Sequence, residues 1–172
     1  MPASSRYHIT NEDLRQAALA LQVGEGMADR IKTNESTDFI ARAEDWAESQ
    51  VEEFIGTPLK PTRAPGQSRT EFTVQMNQNS LTKRNFPHDF IQATIYRATG
   101  LFLQSEFFEN NPNASEAGKW ALELAQMHIS DFKERRTSRV GSGRLRHRNP
   151  FMPPTIAPHL DSPPQNPGLG GK

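Results

Sequence analysis

The segment 149–172, "NPFMPPTIAPHLDSPPQNPGLGGK", restricts the possible folds of this chain more than any other stretch. It holds seven of the chain's 13 prolines and two charged residues. Proline has no backbone N–H to donate, and the segment has too few apolar side chains to form a core. The sequence therefore predicts an extended arm that becomes ordered only against another surface. The fold must be built by the residues that precede it.

The composition predicts a modest hydrophobic core. Of the 172 residues, 34% are hydrophobic, and the mean hydropathy is −0.73. The chain has no cysteine, which excludes disulfides, thiolate zinc sites and cysteine nucleophiles. It also has no run of 18 apolar residues, so no membrane partner is expected. We expect a soluble protein with one domain at 1–136 and an arm at 137–172, in which a basic linker leads into the proline-rich tail.

Apolar residues recur at helical spacing in four stretches of the domain. The first follows a capping residue, Thr10, and the second extends over 36–56. The third begins at Pro87, and the fourth begins at Asn113 and ends in the "KERR" of 133–136. The fold class predicted is therefore mainly α, a small bundle of about four helices.

Three side chains of these helices are expected to belong to the core. Trp46 and Trp120 lie on apolar stripes and are predicted to be buried anchors, and His128 is predicted to be a satisfied core histidine. Gly100, inside the third helix, weakens it by about 1 kcal/mol relative to alanine unless close packing compensates.

The segment between the second and third helices, 57–86, is predicted to be a long loop. Within it Phe72, Val74 and Met76 alternate with polar residues, which is the period of a half-buried strand. A single short strand needs a partner, so we expect a hairpin or pairing with another subunit. A loop of this length is usually functional, and these three side chains are predicted to contact a neighbouring subunit.

The net charge is zero, but the charges are separated along the chain. Residues 11–53 hold 11 acidic and four basic residues, whereas 133–148 hold seven basic residues and one acidic. The linker arginines in and next to this basic stretch are Arg135, Arg136, Arg139, Arg144, Arg146 and Arg148. Such a chain can meet partners of opposite charge at its two ends, although a solvated helix and an unstructured basic stretch explain the pattern as well.

The sequence contains none of the common catalytic motifs, and its five histidines have no metal-ligand spacing. Glu44, Glu48 and Glu52 recur at four-residue intervals along the second helix. Without a matching ligand motif on another helix, an exposed acidic face is favoured over a carboxylate metal site. We therefore expect no enzymatic activity, no cofactor and no metal.

Three stretches of the chain resemble the head–tail connector (adaptor) proteins of tailed bacteriophages. They are "ITNEDLRQAALAL", "FIARAEDWAESQVEEFIGTPL" and, after a loop, "FPHDFIQATIYRATGLFLQSEFF". The positions that match the family's pattern in the second and third stretches are Ile40, Ala43, Trp46, Val51, Ile55, Gly56, Pro58, Pro87 and Ala93. The resemblance covers residues 8–132 and consists of apolar spacing and helix ends.

The resemblance implies a structural protein at the head–tail interface of the virion, assembled in the host cytoplasm. Copies of such a protein form a ring below the portal protein, extend the DNA channel and offer a docking platform to tail or head-completion proteins. DNA would pass through without sequence-specific binding, and the acidic face of Glu44, Glu48 and Glu52 would line the channel or meet a neighbour. Phe72, Val74 and Met76 would contact the next subunit or a tail protein.

The proline-rich tail lies outside the family pattern, so its role is inferred from its chemistry. We expect it to lie against the portal, with its large apolar side chains as anchors in surface pockets. These portal-binding anchors are Phe151, Met152, Ile156 and Leu160.

Two other functions remain open. A DNA-packaging subunit similar to a small terminase would also be helical, oligomeric and partly basic, but it needs a helix that reads DNA. A non-viral helical scaffold or binding module would share the composition without forming a ring.

Overall fold

The computed structural model describes the backbone of residues 5–31, 33–55, 59–107 and 112–147, and the side chains of 5–31, 36–51, 59–105 and 116–136. Within these ranges there are six α-helices: α1 (Asn11–Ala20), α2 (Glu25–Ala28), α3 (Thr33–Ile55), α4 (Arg69–Asn77), α5 (His88–Phe107) and α6 (Pro112–His147). A 3-10 turn at Lys83–Asn85 precedes α5. The chain divides into two compact units, Met1–Arg136 and Thr137–Lys172. The prediction of a mainly helical bundle is confirmed.

The first helix begins where the sequence predicts. The Thr10 hydroxyl accepts a hydrogen bond from the backbone N–H of Asp13, whose carboxylate accepts the backbone N–H of Thr10 in return. This capping box satisfies two donors that a helix start otherwise leaves without partners. Leu14, Ala17 and Ala18 are the buried face of α1.

Helix α5 is the centre of the bundle and packs antiparallel to α3. Phe39 of α3 meets Phe102 of α5 edge-to-face at 5.7 Å, and further along α3 the guanidinium of Arg97 lies 4.9 Å from the Trp46 ring centroid. Residue numbers rise on one helix as they fall on the other. Trp46 is half-buried in this contact. Phe90 and Phe102 are fully buried, which stabilises the fold by about 1.5–3 kcal/mol each.

Helix α6 packs antiparallel to α5 on another side. Phe90 contacts Phe132 at 6.1 Å between ring centroids, and Tyr96 stacks on His128 at 5.6 Å. Asp89, at the start of α5, forms an ion pair with Arg135, in which 2.8 Å separates Asp89 Oδ2 from Arg135 Nη1. His128 is half-buried in its stack rather than enclosed in the core.

The predicted strand and long loop are wrong. Phe72, Val74 and Met76 lie on helix α4, which begins at Ser68 with a capping box that includes Glu71. The side chain of Ser68 accepts the backbone N–H of Glu71, and the Glu71 carboxylate accepts that of Ser68. These local bonds favour the helix, whereas no described neighbour strand supplies the pairing that a strand requires.

Two predictions about the fourth helix are also wrong. It does not end at Arg136, because α6 continues to His147. Gly141 and Gly143 weaken the helix by about 1 kcal/mol each, but neither removes a backbone donor as proline does. Trp120 is 56% exposed instead of being a core anchor, because the small residues Ala121 and Ala125 form the buried face there. The proline-rich tail, 149–172, lies outside the described residues.

Candidate functional site

The predicted acidic face of α3 is occupied by the chain's own residues 5–7. Glu44 is 2% exposed and accepts hydrogen bonds from the Ser5 hydroxyl and from the backbone N–H groups of Arg6 and Tyr7. The Arg6 side chain forms ion pairs with three carboxylates, those of Glu44, Asp45 and Glu48. On this side of α3, three carboxylates are thus paired with one arginine, and that of Glu44 is also buried.

The aromatic ring next to Arg6 strengthens this attachment. Tyr7 donates a 2.6 Å hydrogen bond to Glu48, and its ring lies between Phe86 and Phe90 at centroid distances of 4.9 and 4.8 Å. Burial, and then the bond to Glu48, raise the pKa of Tyr7 far above its usual value. The phenol therefore stays protonated and remains a donor.

These contacts correct the expectation that Glu44 and Glu48 belong to an open acidic face. Burial lowers the pKa of Arg6, but bonds to Asp45 and Glu44 outweigh this effect and raise it overall, so the cation is retained. Glu44 and Glu48 bind the N-terminal segment of the same chain and do not form an open wall for a DNA channel. The side chain of Glu52 lies outside those described. Sequence spacing does not predict the pairing of Arg6 with Glu44, because the two residues are 38 positions apart in the chain.

The segment between α3 and α5 is organised around a buried asparagine. Asn85 is fully buried, and its amide donates to the Thr62 carbonyl at 3.1 Å and to Gln67 Oε1 at 3.0 Å. Its side-chain oxygen accepts bonds from the backbone and hydroxyl of Thr82. The backbone N–H of Thr62 donates to the Asn85 carbonyl at 2.7 Å. The two ends of the segment 62–85 are therefore joined at its base.

Helix α4 is carried on this base and has no buried residue. Val74 and Met76 are each 45% exposed, and Phe72 is half-buried. Two residues along a helix correspond to about 200°, so Val74 points away from the side that Phe72 and Met76 share. The helix therefore has an exposed apolar side chain on each of two sides. Of the three residues predicted as a contact loop, Val74 and Met76 are thus exposed and Phe72 is half-buried, and all three lie on α4.

The surroundings of α4 are basic. The exposed cations of 59–87 are Lys60, Arg63, Arg69, Lys83 and Arg84, against one exposed carboxylate, Glu71. Lys83 forms an ion pair with Asp13, and Glu71 caps α4. Backbone and hydroxyl bonds from Ser68 lower the pKa of Glu71. We call residues 59–87 the basic projection.

The predicted linker arginines are only partly described. Arg135 pairs with Asp89, and Arg136 lies 5.1 Å from the Phe132 ring centroid, so both belong to the bundle. Arg139, Arg144 and Arg146 fall within α6, which is helical where a flexible linker was predicted, but their side chains lie outside those described. Arg148 and the predicted tail anchors Phe151, Met152, Ile156 and Leu160 also lie outside.

A cleft of about 230 Å³ lies between α1 and α5 and is open to solvent. Asp13 and Tyr96 line it, and the Asp13 carboxylate is paired with Lys83. In the ranges with described side chains, no three His, Asp or Glu residues are grouped to hold a metal ion. None of the described helices has the length and apolarity needed to cross a bilayer.

Comparison with protein-family models, with curated proteins and with solved structures finds no match to this chain. The exposed surfaces described above are therefore the basis for inferring its function.

Proposed function

We propose that this chain is a structural protein of tailed-bacteriophage virions, a head–tail connector subunit that forms a ring below the portal. It extends the DNA channel, through which DNA passes without sequence-specific binding, and it offers a docking platform to tail or stopper proteins. It acts at the head–tail interface after assembly in the host cytoplasm.

The observation that carries this proposal is the exposed helix α4 on its fixed base. Asn85 and Thr62 close the base of the segment, while Val74 and Met76 remain 45% exposed to solvent. Holding apolar side chains in water on an ordered helix has no benefit for the isolated bundle. It is typical of an element that binds another protein, either the next subunit of a ring or a tail protein.

The order of the helices gives further support. The three stretches that carry the resemblance to connector proteins contain α1, most of α3 and α5. The proline-rich tail fits the same role, since an extended arm with Phe151, Met152, Ile156 and Leu160 as anchors suits attachment to a portal surface. Prolines lower the cost of ordering such an arm because its unbound conformations are already restricted.

A pull-down with isolated portal rings tests the proposal. We expect full-length protein to be retained on the rings. The Val74→Ser/Met76→Ser variant should be retained less, because docking between neighbouring copies on the ring is weakened. The Thr70→Ser/Asn77→Ser variant changes exposed polar residues of the same helix and should behave as wild type. A Phe151→Ser/Ile156→Ser variant tests the tail anchors. Failure of wild-type protein to bind the rings would reject the connector function.

A DNA-packaging subunit is the second candidate, and one observation favours it. Helix α6 continues through the arginine-rich residues 137–147 instead of ending at Arg136. A basic helix can bind phosphates, with an affinity that falls steeply as salt rises. Retention of DNA at physiological salt, together with no binding to portal rings, would favour this candidate over the connector.

A further inference from the structure

The exposed face of α6 carries two large apolar side chains. Trp120 is 56% exposed and Met127 is 60% exposed, so both face solvent on the outside of the bundle. They are seven residues apart, which is close to two helical turns, and therefore lie on one line along the helix. Exposed aromatic and methionine side chains are common at the centres of protein interfaces.

Four carboxylates lie on the same line. Positions 116, 120, 123, 127, 131 and 134 follow one another at intervals of three or four residues, the spacing of a single helix face. They are occupied by Glu116, Trp120, Glu123, Met127, Asp131 and Glu134, and we call them the acidic stripe. All acidic residues of 116–136 belong to it. Lys119 and Arg135 border the stripe, and Arg135 pairs with Asp89, whereas Lys133 and Arg136 lie away from it.

The carboxylates of the acidic stripe are available to an external cation. All four residues are exposed, and none takes part in an ion pair within the described ranges. An apolar centre with carboxylates around it suits a partner that combines apolar side chains with positive charge. The basic projection has this chemistry.

We propose that the acidic stripe of one copy is the docking site for the basic projection of a second copy. Phe72 and Met76 of the projection, which share one side of α4, would meet Trp120 and Met127, and the surrounding arginines would face the carboxylates. This inference rests on the proposed function, since it names the ring neighbour as the partner of α4. Lys60, Arg63, Arg69 and Arg84 are exposed and have no ion-pair partner among the described residues, so they remain available to the neighbour.

The lengths of the two elements agree. Helix α4 has nine residues and is about 13 Å long, while Trp120 and Met127 are about 10 Å apart along α6. One α4 can therefore cover both apolar side chains of the stripe. The two surfaces are different parts of one chain, so the contact is head-to-tail, and repeating it produces a ring or an open filament.

The size of the stripe predicts a weak contact between isolated copies. Glu116 and Glu134 are 18 residues apart, or about 27 Å, and a strip of that length and one helix width covers roughly 300 Å². Stable pairs bury about 800 Å² on each partner. We therefore expect association that depends on concentration and salt, and that is completed where several copies are held together.

Cross-linking between single-cysteine variants tests the pairing directly, because the natural chain has no cysteine. Full-length Met127→Cys protein is mixed with full-length Met76→Cys protein and treated with a short bismaleimide. We expect several-fold more dimer in the mixture than with either variant alone. Gln126→Cys, an exposed position of α6 that lies off the stripe, is the matched control. Equal yields from the Gln126→Cys and Met127→Cys mixtures would overturn the proposal, and so would preferential coupling of Met127→Cys to itself.

Charge reversal distinguishes a loss of docking from a loss of the fold. The Glu123→Lys/Asp131→Lys variant should associate about tenfold more weakly in sedimentation, because like charges then face each other. Adding Arg63→Glu and Arg69→Glu to that chain should restore association, which a merely damaged fold would not do. No rescue in a chain with native circular dichroism would reject the pairing.

The two proposals fail in distinguishable ways. Retention on portal rings without the cross-link would support the connector function and reject the pairing of two copies. The acidic stripe would then be expected to bind a basic protein other than this chain. The cross-link without portal retention would establish self-association of this chain and reject the connector function.

Discussion

Gly100 of α5 and Gly118 of α6 lie against each other where the two helices pack. A Cβ atom at Gly100 would be 2.9 Å from the Gly118 carbonyl oxygen, and one at Gly118 would be 3.3 Å from the Gly100 carbonyl oxygen. Neither helix can move away without separating the contacts of Tyr96 with His128 and of Phe90 with Phe132. Close packing therefore compensates for the low helix propensity of Gly100.

Replacing Gly100 by alanine is expected to lower the free energy of unfolding by about 1–2 kcal/mol. The gain in helix propensity, about 1 kcal/mol, is smaller than the cost of overpacking against the Gly118 backbone and Leu122. Urea denaturation measures the change. Gly26→Ala is the control, because nothing lies within 4 Å of a Cβ there. Equal stability of the two variants would contradict close packing at Gly100.

Replacing Glu44 by alanine is expected to cost about 2 kcal/mol, because the backbone N–H groups of Arg6 and Tyr7 lose their acceptor in a largely buried site. The matched variant is Asp45→Ala. Asp45 binds the same Arg6, but its side chain is 72% exposed, so its loss should change stability by no more than about 0.5 kcal/mol. Thermal unfolding of both variants measures the difference. A smaller loss for Glu44→Ala would mean that residues 5–7 contribute little to the fold.

The stability of the bundle should depend on pH through Asp13. Burial raises the pKa of this carboxyl, but the bonds from Lys83 and Thr10 outweigh it and hold the pKa below the ordinary value of 3.8. A carboxylate with a lowered pKa in the folded state stabilises the protein above its unfolded pKa, and this contribution is lost as the pH falls through the folded value.

Wild-type protein should therefore lose more free energy of unfolding between about pH 4 and about pH 2 than the Asp13→Asn variant. Urea midpoints measured at several pH values give the two slopes. The Lys83→Met variant should also show a weaker pH dependence of the free energy of unfolding than wild type, because the cation that lowers the pKa of Asp13 is removed. Parallel curves for all three proteins would show that the pair is unimportant.

Replacing Asn85 by alanine should release the basic projection without unfolding the bundle. The substitution leaves the Thr62 carbonyl, in a part-buried contact, without the amide donor of Asn85, which costs about 1–3 kcal/mol. Hydrogen exchange should then become faster in α4 while exchange in α5 stays slow. Asn77→Ala, at an exposed position of α4, is the control. Unchanged exchange in α4 of the Asn85→Ala protein would mean that the base is held by other contacts.

Local chemistry in the sequence predicts most of the helices. Thr10 marks the start of α1, and the apolar spacing of 36–56 and of the residues after Pro87 locates α3 and α5. At 72–76 the alternation of apolar residues predicts a strand, whereas the pair Ser68 and Glu71 is typical of a helix start. The hydrogen bonds of this capping box form in the structure, and the segment is helical.

The surfaces were harder to predict because they depend on which residues meet in space. The sequence predicts that Glu44 is exposed, but Arg6 and Tyr7, which are distant in sequence, cover it in the fold. The sequence predicts that Trp120 is a core residue, but small residues occupy the face of α6 that packs against α5, and Trp120 lies outside that face. The acidic stripe itself is visible in the spacing of positions 116–134, but only after Trp120 is known to be outside.

The bond between Thr62 and Asn85 joins two points that are 23 residues apart in sequence. The stretch between them begins and ends at one place on the bundle, so its length and sequence can change while the helices below keep their positions. It is thus an exchangeable module, and transplanting a related stretch between the same two residues would be a route to altering what the protein assembles with.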